Sequence, residues 1–219
     1  MNILILNYEF PPLGGGAGNA TFYLLKEYSK LRNIEIDLVT SAVDGYQQKK
    51  YANNIRIHYL DIGKNNKNLH YQSNRDLIIY ALKAYLYCKK MLKEKEYDLC
   101  HAFFGIPCGF LAMLLRLTYI VSLRGSDVPF YNKRFYWYDS LLFKHLSFLI
   151  WRKAVKVIVN SYGLKELALN TSPQQDFDII YNGIDISDFT PCISKKELGS
   201  SLFKCTVSRP FVVKDVMIA

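Results

Sequence analysis

The chain has 219 residues, half of them hydrophobic, with a formal net charge of +9 and five cysteines. That apolar content excludes a disordered chain and allows one large domain, or one domain plus a fragment. Cys88, Cys100, Cys108, Cys192 and Cys205 are odd in number and form no CxxC, which argues against a disulfide framework and a zinc site.

The basic balance favours anionic partners: nucleotides, nucleic acid or an acidic membrane surface. The bases are spread rather than striped and no nucleic-acid motif is present, so nucleic-acid binding is not expected. The start lacks the basic region and long apolar run of a secretion signal, and no stretch reaches the roughly 18 apolar residues that span a bilayer. A cytoplasmic protein is expected.

In chain order, Ile3 to Leu6 is an unbroken apolar run that suits a strand buried on both faces. Pro11 and Pro12 end it, and Gly14, Gly15, Gly16 and Gly18 follow. A helix is predicted from Ala20 to Leu31. Strand, glycine loop and helix together point N–H groups and a helix N-terminus at an anion, usually a phosphate; the plain alternative is a flexible turn. The loop is neither a Walker A motif nor a clean GxGxxG.

Ile34 to Thr40 is the second predicted strand. It ends in Thr40, Ser41 and Ala42, with Asp37 inside it and Asp44 beyond it, so the acid a dinucleotide-binding unit places at this strand end is missing. A nucleotide-binding oxidoreductase is therefore the weaker reading. Gly45 to Asn54 reads as a surface loop, Ile55 to Leu60 as a strand, and the Lys- and Asn-rich Gly63 to Asn74 as a mobile loop. A long helix over Arg75 to Lys95 follows, then a short strand over Asp98 to Ala102. Gly105 to Leu117 reads as a buried helix with Pro107 in its first turn.

Tyr119 to Leu123 is a β-branched strand, followed at once by Arg124, Gly125, Ser126 and Asp127. Phe130 to Lys153 reads as an aromatic and basic helix. Either its faces pack on the core and meet solvent, or it makes a peripheral membrane contact. Val155 to Asn160 is a strand, Ser161 caps a helix over Tyr162 to Leu169, and Phe177 to Tyr181 is the last strand before Asn182 and Gly183.

This alternation predicts an α/β fold, a doubly wound, Rossmann-like parallel sheet. Ligands of such sheets sit at the carboxyl ends of the strands. Gly14 to Gly18, Arg124 to Asp127, Asn160 with Ser161, and Asn182 with Gly183 all fall there.

Five segments in order, FPPLGGG, DLCHAFFGIP, IVSLRGSDVP, VIVNS and IIYNGIDISDFTP, resemble the N-terminal half of the family 4 glycosyltransferases. The resemblance implies one half of a GT-B architecture, in which two Rossmann-like domains face across a cleft, with the acceptor-side domain over residues 1–190. It implies a retaining transferase that uses no metal and no cofactor, with a UDP or GDP sugar as co-substrate and a glycan or lipid-linked acceptor, in cell-surface polysaccharide or glycoconjugate synthesis.

By the same resemblance Gly15 and Gly16 face the donor diphosphate. Asp127 positions hydroxyls, and Arg124, always charged, offsets charge on the departing diphosphate. His101, Ser126, Asn160, Ser161, Asn182, Gly183 and Asp185 belong to the cleft. For Asp127 a turn or capping role stays open, and for His101 a structural one.

Residues 191–219 read as a linker and the abortive start of a second, donor-binding domain, since FVVKDVMIA does not match the family continuation. A truncated or split enzyme, silent without a separately encoded second half, is the expectation. Its place is the cytoplasm, with peripheral contact at the inner face of the membrane. The alternative is a non-catalytic remnant or binding module at a membrane surface.

Overall fold

A computed structural model describes residues 1–131 and 142–183. The chain divides into one unit over Met1–Gly183 and another over Ile184–Ala219. The second unit and the expected boundary at residue 190 lie outside the described residues.

Eight strands form one sheet: β1 (Asn2–Leu6), β2 (Glu35–Ser41), β3 (Gln47–Ala52), β4 (Ile55–Leu60), β5 (Leu99–Phe103), β6 (Tyr119–Ser122), β7 (Lys156–Val159) and β8 (Phe177–Ile179). Their order is β3-β4-β2-β1-β5-β6-β7-β8, and every pairing is parallel except β3 with β4. The helices described are α1 (Gly16–Tyr28), α2 (Asn74–Glu94), α3 (Phe110–Leu114), α4 (Lys144–Lys153) and α5 (Tyr162–Leu169).

The strand order reverses at β1, which pairs with β2 on one side and β5 on the other. That reversal opens a crevice at the carboxyl ends of β1 and β5, where α/β sheets bind ligands.

β1 is central because it is apolar on both faces. Leu4, Ile5 and Leu6 are fully buried, and each contributes roughly 1.5–3 kcal/mol on transfer from water. The long helix α2 starts with a capping box: Ser73 Oγ accepts from Asp76 N–H, and Asp76 accepts from Ser73 N–H. Tyr80 of α2 is wholly buried and its hydroxyl donates to Val39 O at 2.9 Å, which pins the helix to the sheet.

Near the start of β2 a buried carboxylate gathers distant groups. Asp37 Oδ1 lies 2.9 Å from His58 Nε2, and its Oδ2 accepts from Lys95 Nζ and Tyr97 Oη, each at 2.9 Å. Beyond His58 the chain of contacts runs to Tyr87 and on to Tyr46. Burial alone would raise the Asp37 carboxyl; His58, Lys95 and Tyr97 reverse this and hold it well below the usual carboxylate range.

Four local expectations change. Residues 47–52, read as loop, form the antiparallel edge strand β3: its polar side chains are exposed while its backbone pairs with β4, and a pattern based on burial misses such an edge. α1 starts at Gly16, four residues earlier than Ala20, because Gly18 packs against the Leu13 carbonyl where a β-carbon would sit 3.1 Å away.

The loop 63–73 is fastened rather than loose. Lys64 is buried and pairs with Asp76 at 2.8 Å, and Leu69 O accepts from Gly14 N–H at 2.8 Å. Lastly, 105–117 is not one regular helix. Ile106, which precedes a proline, is extended (φ −125°, ψ 128°), and α-helix covers only Phe110–Leu114. Of the helix expected over 130–153, α4 is the described part, and residues 132–141 lie outside it.

Candidate functional site

The crevice is built from the turns that leave β1, β5, β6 and β8. After β1, fully buried Asn7 fixes the entry: its Nδ2 donates to Thr21 Oγ1 at 2.7 Å, and its Oδ1 accepts from Glu9 N–H at 2.9 Å. This bends the chain so that Gly15 and Gly16 stand at the head of α1. Gly14 has φ +87°, and a β-carbon there would sit 2.6 Å from Glu9, so no other residue fits. Gly15 and Gly16 are exposed, and nothing lies within 4 Å of where a Gly15 β-carbon would be. No acidic residue occupies the first turn of α1, so its positive end is not answered from within that turn.

After β6, Asp127 ties two turns together, and its partners among the described residues are backbone donors. Its Oδ1 accepts from Arg124 N–H at 2.9 Å and Gly125 N–H at 3.0 Å, and its Oδ2 accepts from Gly105 N–H at 2.7 Å. Burial pushes the carboxyl up; the N–H groups of Gly105, Arg124, Asp127 itself and Gly125 offset this only in part. Three of its acceptor sites are spent on the scaffold, so Asp127 sits in the turn-fixing arrangement that the residues alone left open.

Arg124 crosses the crevice. Its guanidinium lies 4.5 Å from the Phe103 ring centre, and its Nη1 donates to Asn182 Oδ1 at 2.6 Å, linking the ends of β6 and β8. Burial lowers it to about 10, with Asp127 working in the opposite sense, so it is charged at neutral pH. His101 stacks on the same Phe103 (4.5 Å between ring centres), and its Nε2 lies 2.8 Å from Ser122 Oγ. Burial, reinforced by the Arg124 charge, lowers His101 to about 3 and keeps it neutral. Behind this stack, buried Tyr8 lies against Phe104 at 4.5 Å, closing the floor between β1 and β5.

The structure thus brings Arg124, Asp127, His101 and Asn182 together. The Gly15–Gly16 turn follows β1, which is separated from β6 in the sheet by β5. Ser126 and Gly183 are exposed beside this group. Asn160 follows β7, and Ser161 spends its hydroxyl on Leu164 N–H at 3.3 Å as the cap of α5. Asp185 lies outside the described residues.

Sequence reasoning missed Asn7, Glu9 and His70. His70 Nδ1 stands 3.1 Å from Gly14 O, and the only prior signal was a polar residue directly before and after the apolar-aromatic entry to the glycines. Among the described residues no group of three His, Cys, Asp or Glu side chains is placed to hold a metal ion.

A mostly parallel, doubly wound sheet with a glycine turn, an arginine and polar turns at the carboxyl ends of its strands defines a Rossmann-like ligand-binding crevice. Residues 14–188 match Glycosyltransferase Family 4, and the chain belongs to that family. A search of curated proteins returned no significant match.

Among solved structures, the chain is similar to sucrose-phosphate synthase from Thermosynechococcus elongatus: TM-score 0.68, 18% identity, over 87% of this chain and 50% of that one. It is similar to a trehalose-6-phosphate protein from E. coli bound with UDP-2-fluoro glucose, with TM-score 0.53 and 9% identity over 86% and 50%. It is also similar to Os79 from O. sativa in complex with UDP, with TM-score 0.51 and 10% identity over 81% and 50%. The chain spans about half the length of these structures, and at these identities the likeness establishes the glycosyltransferase-like GT-B half-fold alone.

Proposed function

We propose that this domain is the acceptor-side half of a retaining glycosyltransferase. It moves a sugar from a UDP- or GDP-type donor to a glycan or lipid-linked acceptor in the synthesis of a cell-surface polysaccharide or glycoconjugate, and transfer requires a donor-binding counterpart. The observation that carries this reading is that the turns bearing Gly15 and Gly16, Arg124 and Asn182 all leave carboxyl ends of parallel strands of one sheet, with Arg124 bound to Asn182.

In this reading the N–H groups of the glycine turn and the Arg124 guanidinium face the donor diphosphate and stabilise its charge as it leaves. Neutral His101 and Phe103 form the rigid floor that aims Arg124. Asp127 is a positioning residue that fixes the turns carrying Gly105 and Arg124.

The test is backbone protection. A UDP- or GDP-sugar should slow amide exchange at Gly15 to Gly18 and around Arg124, and NAD should not. A transfer assay with labelled donors and a supplied donor-binding domain then reads the chemistry. Protection by NAD alone, or by no nucleotide sugar, would sink the reading.

A membrane-facing surface is the second reading. Ile78, Leu82 and Leu86 lie one helical turn apart on α2 and are 61%, 63% and 67% exposed. Arg75 precedes the ridge and Lys89 and Lys93 follow it on the same face. α4, which packs on α3 as α2 does, exposes Phe148 and Leu149 beside Arg152 and Lys153. Apolar ridges with basic ends suit an anionic lipid surface. No helix among the described residues is long and apolar enough to cross a membrane. Co-sedimentation with vesicles containing anionic lipid, absent with neutral vesicles, is expected; equal binding to both or to neither contradicts it.

A further inference from the structure

The peptide that joins Gly14 to Gly15 is held from both sides. Its carbonyl oxygen lies 3.1 Å from His70 Nδ1, and its N–H donates to Glu9 Oε2 at 3.1 Å. Gly14 N–H is taken as well, by Leu69 O. Glu9 is not a loose surface chain. Its backbone N–H is anchored on buried Asn7, and its Cβ, Cγ and Cδ lie flat across Gly14, each 2.6 Å from a β-carbon built there.

The Glu9 carboxylate therefore stands where the positive end of α1 opens to solvent, and it accepts an N–H of the turn that is otherwise open to an incoming anion. A phosphate oxygen and a carboxylate oxygen ask the same thing of that N–H: both are charged acceptors favoured at a helix N-terminus.

We propose that Glu9 is a built-in occupant of the anion seat at the head of α1, and that a phosphate-bearing ligand binds there by displacing its carboxylate from Gly15 N–H. This rests on reading the glycine turn as facing a diphosphate. In the unliganded protein Glu9 keeps the turn ordered and its N–H satisfied. On binding, Gly15 supplies the N–H to phosphate and the carboxylate rotates away, while His70 and Leu69 keep hold of Gly14. The seat thereby rejects weak anions and admits a ligand that brings more negative charge than one carboxylate.

The experiment uses the whole 219-residue chain, 15N-labelled and at fixed ionic strength, titrated with inorganic pyrophosphate while the Gly15 and Gly16 amide signals are followed. Thermal melts first establish that each variant is folded. Glu9→Gln should bind pyrophosphate about tenfold more tightly than wild type, the scale of one charge-assisted hydrogen bond. Glu9→Asp keeps the charge but draws the carboxylate one methylene back from Gly15, and it should also bind more tightly than wild type.

Equal or weaker binding by Glu9→Gln overturns the proposal. So does a Glu9→Asp variant that behaves as wild type while Glu9→Gln tightens, since that is through-space repulsion without occupancy of the seat. If pyrophosphate moves neither amide in any form, the diphosphate reading of the turn falls and this proposal with it. Movement of both amides with the same affinity in wild type, Glu9→Gln and Glu9→Asp removes the proposal alone.

Discussion

Two aspartates, Asp37 buried and Asp127 half-buried, sit toward opposite ends of the sheet's strands and are satisfied in opposite ways. Asp37, near the start of β2, is answered by side chains: His58, Lys95 and Tyr97, with the Arg56 guanidinium 3.8 Å away. Asp127, past the end of β6, is answered among the described residues by backbone N–H groups. The first is held well below the usual carboxylate range, and the second is raised by burial from its ordinary value.

The difference separates fastening from function. Around Asp37 the cations meet the acid that gathers them, so the amino end of the sheet is closed by charge. Around Asp127 the nearby cation, Arg124, reaches away to Asn182 and keeps its charge available to the crevice. An acid that uses backbone donors shapes two turns without consuming the neighbouring arginine.

The sharpest way to break the contrast is Asp37→Ala. It strands His58, Lys95 and Tyr97 without their acceptor and should cost about 3–5 kcal/mol in urea unfolding, as for other disrupted buried pairs. Asp127→Ala should cost less, about 1–3 kcal/mol, the range for buried donors left unpaired. Its signature is local: exchange at Gly105, Arg124 and Gly125 should speed up while the amides of β2 and β4 stay protected. Uniform acceleration across the sheet would show that Asp127 fastens the fold as Asp37 does.

Acid sharpens the comparison further. His101 ordinarily titrates near 6.5 and is lowered to about 3 by burial and Arg124. The unfolded chain therefore binds the proton more readily. The stability from keeping His101 neutral is complete above pH 6.5 and is lost progressively as pH falls toward 3. Asp127, with its carboxyl raised, acts in the opposite sense over the carboxylate range. Between pH 7 and pH 5 the His101 contribution amounts to roughly 1–2 kcal/mol. His101→Gln should flatten that slope; an unchanged slope would assign the acid sensitivity elsewhere.

The smallest effect is expected on α2. Leu82→Glu removes an exposed side chain with no buried contact to lose, so stability should move by no more than about 0.5 kcal/mol. If the ridge meets lipid, vesicle binding should fall while urea unfolding stays put.

Much of this was legible before any coordinates. Apolar runs such as Ile3 to Leu6, and turn residues such as Gly14 to Gly16 or Arg124 to Asp127, mark strand and strand end through local chemistry, and the order of motifs set the family and the fold. What escaped depended on long-range geometry. The strand β3 is made by its neighbour rather than by its own polar residues. Lys64 looks like one of many loop lysines until Asp76 folds back beside it. Glu9 and His70 meet one peptide bond from positions 61 residues apart, and nothing in either neighbourhood announces the other. The Asp127 geometry came out as a turn because an Asp before a proline-bounded segment has that option written locally, whereas its reach to Gly105 does not show in one dimension.

The strand order carries a consequence for how the polypeptide is made. β2 pairs with β1, β4 with β2 and β3 with β4, all within the first 60 residues. From then on β5 joins the free edge of β1, and β6, β7 and β8 each join the edge left by the strand before them. No later strand has to be inserted between two that already pair. A nascent chain leaving the ribosome can therefore assemble this sheet in the order of translation, extending one open side as each new segment emerges.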